Sequence, residues 1–148
     1  MADQIYYEDV EQGDLLPVLV KHPTPRHLVM WAGASGDFYE IHYYKDFARS
    51  LALPGIVVHG MLSISFLAQL VNDWMGEYGT LKKLRTSNRG MLFPNEDISC
   101  QGQVTGKYIE GSEHYVECEV WAENDVGDKC VVGTALVTLP SRVTGVAS

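Results

Sequence analysis

The sequence predicts an α+β domain in which one long buried helix is followed by an antiparallel sheet. The helix is indicated by MLSISFLAQLVNDWMGEYG, a run from Met61 whose apolar residues cover most of a helical circumference. The sheet is indicated by the change of hydrophobic period after Leu81, where four segments are bounded by turn signals. With 148 residues, 46% of them hydrophobic, the chain has the size of one ordinary domain, and we predict a single domain over residues 1–148.

Shorter elements are predicted before the long helix. The segment DLLPVLVKH indicates an N-terminal strand whose proline favours a place at a sheet edge. Thr24 as N-cap and Pro25 at the first helical position predict a short helix to about Ala34. The segment YKDFARSLAL favours a second short helix. The long helix is expected to begin at Gly60, so that the backbone N–H groups of its first turn carry the positive end of the helix dipole.

Four strands are predicted after the helix, in LKKLRTSNRGMLF, DISCQGQVTGKYIEG, EHYVECEVWAEND and KCVVGTALVTLP. In the third of them one set of residues alternates with an apolar set, as on a sheet with one buried face. The first set is Tyr115, Glu117, Glu119 and Trp121, and the apolar set is Val116, Cys118, Val120 and Ala122.

Charge and cysteine content exclude several classes of function. The net charge of −8 argues against nucleic acid as the main partner, because binding to phosphates needs a positive surface. Cys100, Cys118 and Cys130 form no C-x-x-C pair, so neither a disulfide framework nor a zinc site is expected. The N-terminus lacks a basic start followed by an apolar run, and 18 consecutive apolar residues occur nowhere. We therefore expect a soluble, cytoplasmic protein without a membrane segment.

A candidate site is contained in GASGDFYEIHYYKDF. Asp37 and His42 are five positions apart, so they can meet only if the chain between them bends. A bend close to His59 and Gly60 would place an acid/base pair beside a free backbone N–H at the start of the long helix. Such a pair could add water reversibly to a double bond next to a thioester carbonyl, with the Gly60 N–H stabilising the enolate oxygen.

Plainer interpretations apply to the same residues. Asp37 after Gly36 is a common turn residue, and His42 before two tyrosines could be a buried, hydrogen-bonded histidine. Asp37, His42 and His59 could in principle hold a metal. No helical pair of ligands at i, i+4 supports this, and we predict neither a metal nor another cofactor.

The run ASGDFYEIHYYKDFARSLALPGIVVHGML resembles the hydratase motif of the MaoC-like family, the (R)-specific enoyl-thioester hydratases and dehydratases of fatty acid metabolism. That motif is G-D-x-N-P-x-H, followed after a short helical stretch by H-G-M-L. Weaker similarity covers most of the chain. The resemblance implies a hot-dog fold, with one helix wrapped by the sheet. It also implies that Asp37 and His42 activate water and transfer protons, that Gly60 gives the oxyanion N–H, and that His59 lines the substrate pocket.

The chain departs from the motif at two places. Tyr39 and Glu40 replace Asn-Pro, which puts a bulky ring and a carboxylate beside the site, where we expect them to contact substrate. Ala68 stands where some members of the family carry a serine on the central helix. The acyl group is what these departures leave most open.

A local cluster of basic residues suggests the carrier of the acyl group. Its members, Lys82, Lys83, Arg85 and Arg89, are four of the eleven basic residues. They form either a solvated strand face or a site for the phosphates of coenzyme A. The negative charge of the whole chain would repel an acidic acyl carrier protein, so we predict an acyl-CoA thioester as substrate. The resemblance implies a homodimer or higher oligomer, and a heterodimer is also compatible with it.

Two other functions remain as alternatives. A hot-dog thioesterase would need an acid on or near the central helix, where Asp73, late in the helix, is the only one. A non-catalytic or partner-dependent subunit that binds acyl thioesters would fit the Tyr39-Glu40 departure. Such a subunit would have no chemical need for both Asp37 and His42.

Overall fold

A computed structural model of the chain describes residues 3–143, and residues 1–2 and 144–148 of the predicted domain lie outside the described residues. The helices are α1 (Pro25–Ser35), α2 (Lys45–Ser50) and α3 (Gly60–Met75). The strands are β1 (Leu19–Lys21), β2 (Thr80–Asn88), β3 (Ile98–Glu110), β4 (Glu113–Glu123) and β5 (Lys129–Thr138). Single 3₁₀ turns are formed by Tyr7–Asp9 and Glu40–His42.

The five strands form one sheet in the order β1-β3-β4-β5-β2, and every neighbouring pair is antiparallel. The long strands β3, β4 and β5 lie in the middle, and β1 and β2 are the edges. The predicted N-terminal strand is reduced to three residues plus one bridge from Leu15 to Gln103, because Pro17 lacks the N–H that would continue the ladder. The segment predicted from Leu81 to Phe93 leaves the sheet after Asn88.

The helix α3 packs against one face of this sheet, as the sequence predicts for the α+β plan. Its side chains Leu67 and Val71 are completely buried, as are Ile98, Val116 and Val137 of the sheet. The inward set of β4 is the apolar set predicted from its alternation. These contacts remove a continuous apolar surface from water, the main favourable contribution to folding.

One ridge of α3 differs from the prediction of a helix buried on nearly all sides. Met61 is 63% exposed, Ile64 and Ala68 are partly buried, and Asn72 is exposed. These residues recur at intervals of three or four, so they form a single stripe along the helix. Within one chain, neither the sheet nor the short helices cover this stripe.

The two ends of the described chain meet beside β4. The backbone N–H of Tyr7 donates to the carbonyl oxygen of Pro140 at 3.0 Å. Arg142 forms an ion pair with Asp9 at 2.5 Å. Between residues 3 and 143, none of the helices is long and apolar enough to cross a membrane.

Candidate active site

The bend between Asp37 and His42 is built by the end of α1 and the 3₁₀ turn that follows. Gly36 ends the helix in the left-handed region, with φ 79°, and its N–H donates to Ala32 at 2.9 Å. Glycine adopts this conformation without the steric cost that a Cβ brings. The turn Glu40–His42 then reverses the chain, and the His42 N–H donates to the carbonyl oxygen of Tyr39 at 3.0 Å.

Asp37 and His42 face one another across the bend. His42 Nε2 lies 3.8 Å from Asp37 Oδ2, and the His42 side chain is 8% exposed while that of Asp37 is 47% exposed. His42 Nδ1 lies 2.7 Å from the carbonyl oxygen of Val57, and because a carbonyl can only accept, Nδ1 carries the hydrogen. The lone pair of His42 is therefore on Nε2, toward the carboxylate. The gap exceeds a direct hydrogen bond, and it suits a water molecule shared by both groups.

His59 lies beneath His42 and supports the bend. The two imidazoles are stacked, with ring centroids 3.8 Å apart and planes inclined by 17°. His59 Nε2 donates to the backbone carbonyl oxygen of Asp37 at 3.3 Å, and the residue is completely buried. The buried His59 Nδ1 has no hydrogen-bond partner in the described part of the chain.

Burial lowers the pKa of His59, and the neighbouring His42 lowers it further. The cause is that a buried imidazolium loses its hydration, and a second positive charge beside it would add repulsion. His59 is thus held neutral with its hydrogen on Nε2. It presents no surface to solvent, so in this chain it underlies the predicted pocket and does not form its wall.

Gly60 is the first residue of α3. The first hydrogen bond of the helix is made by Ser63, whose N–H donates to the carbonyl oxygen of His59 at 3.1 Å. The N–H groups of Gly60, Met61 and Leu62 precede that bond, so they have no partner within the helix. The positive end of the α3 dipole consequently lies next to the stacked histidines, as the sequence predicts.

Atoms of Asp37, His42 and His59 all lie within 4.8 Å of one another, a spacing that could hold a metal ion. The two rings are nearly parallel, so their in-plane lone pairs run side by side and do not converge on one point. One nitrogen of each ring also binds a backbone carbonyl. The cluster therefore suits proton transfer better than a tetrahedral metal site.

The other predicted site residues are spread along the chain. Tyr39 is half exposed and contacts the His42 ring edge-on, with centroids 6.3 Å apart, and Glu40 is exposed at the start of the 3₁₀ turn. Arg89 follows directly after β2, whose last residue is Asn88. Lys82 and Lys83 lie toward the opposite end of β2, about 17–20 Å from Asn88 by the rise of a strand.

Three basic side chains of the cluster have neighbours away from the bend. Lys82 pairs with Glu113 at 2.7 Å, and Lys83 and Arg85 lie together on the outer face of the sheet beside Glu117. Arg89 directly follows Asn88, the residue that approaches Gly60, so its backbone is nearer the start of α3 than those of the other three.

One residue beside Gly60 has no counterpart in the sequence analysis. Asn88, the last residue of β2, places its side-chain nitrogen 2.8 Å from the position that a Cβ on Gly60 would occupy. The signal could not be found in the sequence, because it depends on how the end of β2 lies against the start of α3.

Comparisons with known proteins bear on the family and the fold of the chain. The family model "MaoC like domain" matches residues 9–125, which is most of the chain. A relative in Mycobacterium tuberculosis, 3-oxo-4,17-pregnadiene-20-carboxyl-CoA hydratase beta subunit, is 25% identical over 130 residues, covering 88% of this chain and 95% of that protein. The fatty acid synthase beta subunit TOXC of Cochliobolus carbonum is 29% identical over 111 residues, covering 73% of this chain but only 5% of the synthase subunit.

A solved structure confirms the fold. The (R)-hydratase from A. caviae involved in PHA biosynthesis superposes with a TM-score of 0.82 at 23% identity, covering 90% of this chain and 99% of that one. The five-stranded antiparallel sheet wrapped around α3 is thus the predicted hot-dog fold. Together, the family match, the motif around the bend and the shared architecture assign the chain to the MaoC-like family of hot-dog hydratases and dehydratases.

Proposed function

We propose that this chain is a hydro-lyase that adds water reversibly to a trans-2-enoyl thioester, giving the (R)-3-hydroxyacyl thioester. The observation that carries the proposal is the gap of 3.8 Å between His42 Nε2 and Asp37 Oδ2, beside the start of α3. Membership of a family of hydratases and dehydratases supports the same reaction type.

The proposed mechanism uses one water molecule held by His42 and Asp37. His42 Nε2 takes a proton from this water while the water oxygen forms a bond to C3 of the enoyl group. The electrons of the C2=C3 bond move toward the thioester carbonyl, whose oxygen becomes an enolate stabilised by the Gly60 N–H. The imidazolium then returns its proton to C2, which completes the addition of one water.

Each neighbour of His42 contributes to this mechanism. The carbonyl oxygen of Val57 holds the Nδ1 hydrogen and thereby keeps Nε2 free as the base. The Asp37 carboxylate orients the water and stabilises the positive charge that His42 carries during the transfer. The stacked ring of His59 stays neutral, so only His42 becomes positively charged during the proton transfer.

We further propose coenzyme A as the carrier of the acyl group. The net charge of −8 would repel an acidic carrier protein at long range. Arg89 is the chain neighbour of Asn88, which approaches the start of α3, and it is the first candidate for a contact with a phosphate. Contacts from Lys82, Lys83 and Arg85 stay predictions from the sequence, as does a cytoplasmic location.

The experiment is hydration of short, long and aromatic trans-2-enoyl-CoA esters, followed by loss of the enoyl-thioester absorbance. Asp37→Asn and His42→Ala should each lower kcat by about 10²–10⁴-fold, the usual contribution of general acid–base catalysis. Asp46→Asn, which removes an exposed carboxylate of α2 outside the bend, is the matched control and should retain activity. Absence of hydration of every ester by the wild-type protein would contradict the proposal.

A partner-dependent subunit is the second candidate. The uncovered stripe of α3 around Met61 favours packing against another hot-dog chain, and the mycobacterial relative is named as the beta subunit of a hydratase. We propose a homodimer first and a heterodimer second. Light scattering of the purified chain measures whether it is a dimer or a monomer. A dimer would support the homodimer. A monomer that is inactive alone and becomes active after mixing with a second hot-dog chain would support the heterodimer.

A thioesterase is less well supported. Asp73 lies thirteen positions after Gly60 on the same helix, about 20 Å away by the rise of an α-helix. A carboxylate at that distance cannot activate water against a carbonyl bound at the start of α3. Thioester hydrolysis that survives Asp37→Asn would revive this alternative.

A further inference from the structure

The backbone of Asn88 is fixed at the end of β2. Its backbone pairs with Val131 of β5, and the next two N–H groups, of Arg89 and Gly90, both donate to the carbonyl oxygen of Cys130, at 2.7 and 3.0 Å. Hydrogen bonds to β5 thus fix the backbone on both sides of Asn88. The backbone from which the side chain projects therefore has a defined position, which a group in a catalytic site needs.

The side chain of Asn88 leans over the start of α3. A Cβ placed on Gly60 would lie 2.8 Å from Asn88 Nδ2 and 4.0 Å from Asn88 Oδ1, so the nitrogen end of the amide faces Gly60. Adding one C–C bond of about 1.5 Å, Nδ2 lies no more than about 4.3 Å from the Gly60 Cα. The missing side chain of Gly60 is therefore what lets the amide approach the helix.

This amide is exposed, and it forms no hydrogen bond with any other residue between 3 and 143. An amide NH₂ group provides two donors, and a free one next to unpaired backbone N–H groups increases the density of donors at that point. His59, one residue before Gly60, stacks on the ring of His42. The acid/base pair and the two kinds of donor are consequently neighbours.

We propose that the Asn88 side-chain amide is a second donor to the thioester carbonyl oxygen, acting together with the Gly60 N–H. The inference rests on the proposed hydration. In that reaction, negative charge moves from C2 onto this oxygen, and donors fixed in advance stabilise it without reorganisation. The same pair of donors serves the dehydration direction, because both directions pass through the same enolate-like transition state.

The first test compares Asn88→Ala with Ser87→Ala, the preceding residue of β2, whose side chain points to the other face of the sheet. Loss of one oxyanion donor typically lowers kcat by about 10²–10³-fold. We expect a loss in this range for Asn88→Ala with little change in KM, and wild-type kcat for Ser87→Ala. Asn88→Asp should lose at least as much, because a carboxylate would face the developing negative charge. A decrease in kcat of less than about threefold for Asn88→Ala would overturn the inference.

The second test separates a donor from a side chain that only fills space. In a His42→Ala background, where turnover should be slowed by about 10²–10⁴-fold, the infrared carbonyl stretch of a bound enoyl-CoA reports polarisation of the carbonyl. Removing Asn88 should shift this band to higher frequency, toward its position in free solution. An unchanged band would show that Asn88 does not touch the oxygen, whereas failure of the ester to bind at all would refute the proposed function.

A third variant uses the close approach at Gly60. Gly60→Ala keeps the backbone N–H, but its methyl group would lie only 2.8 Å from Asn88 Nδ2 and would push the amide away. We expect Gly60→Ala to lower kcat by about as much as Asn88→Ala, and the double variant to be no worse than either single one. Multiplicative losses in the double variant would mean that the two residues act separately, which would contradict the shared site.

Discussion

His59 has two roles, positioning His42 and Asp37 for catalysis and contributing to the free energy of unfolding. Replacing His59 with phenylalanine should separate these two roles. Phenylalanine keeps a ring that can stack on His42, and it removes both nitrogens of His59. One nitrogen donates to the carbonyl oxygen of Asp37 at 3.3 Å, and the other is buried without a partner. Loss of the hydrogen bond costs about 0.5–1.5 kcal/mol and removal of the unpaired buried nitrogen offsets part of this cost, so we expect a net change within about 1 kcal/mol at pH 7.5.

The effect should grow as the pH falls. The pKa of His59 is lowered in the folded protein, mainly by burial, so below pH 6.5 the unfolded chain binds a proton that the folded one does not. The contribution of His59 to stability is therefore fully present above pH 6.5 and is lost on acidification. Phenylalanine does not titrate. The free energy of unfolding of the variant, relative to that of the wild type, should therefore rise by up to about 1.4 kcal/mol for each pH unit below pH 6.5.

Urea unfolding followed by tryptophan fluorescence between pH 7.5 and 5 measures this difference in the free energy of unfolding. A contribution of the larger ring that does not depend on pH leaves the slope of the difference against pH unchanged. His59→Gln serves as a control, since it also lacks the titration but keeps an amide that can donate to Asp37. Activity should fall by about 10²-fold in the phenylalanine variant, the cost of a displacement of about 1 Å at a catalytic group, and less in the glutamine variant. A stability difference that does not change with pH would refute the reasoning.

Three further predictions concern the frame around the site. Leu67→Ala, in the fully buried middle of α3, should lower the free energy of unfolding by about 2–5 kcal/mol in urea titrations, and a loss below 1 kcal/mol would contradict the packing. Burial raises the pKa of Cys100 and Cys118 to about 12, so neither thiol should react with a disulfide reagent at pH 8 until the protein unfolds. Lys82→Ala breaks only the exposed pair with Glu113 and should cost less than about 1 kcal/mol, an amount that 0.5 M salt should reduce.

Local signals predicted much of the fold. Thr24 and Pro25 predict the start of α1, which the structure confirms, and Gly36 ends that helix where the bend is expected. The beginning of α3 at Gly60 and the four strands after it also agree with the structure. These features depend on neighbours in sequence, such as caps, turn residues and alternation, so the sequence contains what determines them.

Features that depend on distant contacts could not be predicted. The exposed stripe on α3 arises because the sheet covers one side of the helix, and an apolar pattern cannot show which side remains open. The stacking of His59 beneath His42 and the approach of Asn88 to Gly60 both depend on how segments lie against one another in three dimensions. Hydrophobic periodicity predicts on which face of a helix or strand a residue lies. It does not predict which distant residue packs against it.

Residues near the two ends of the described chain lie close together beside β4, which makes the domain suitable for insertion into another protein. Tyr7 and Pro140 are joined by a backbone hydrogen bond, and Arg142 is tied to Asp9. A host protein could receive such a unit in a surface loop while its own two flanking residues stay close together. The fatty acid synthase subunit, of which the matching region is only a small part, shows that a sequence of this kind occurs within a much longer polypeptide.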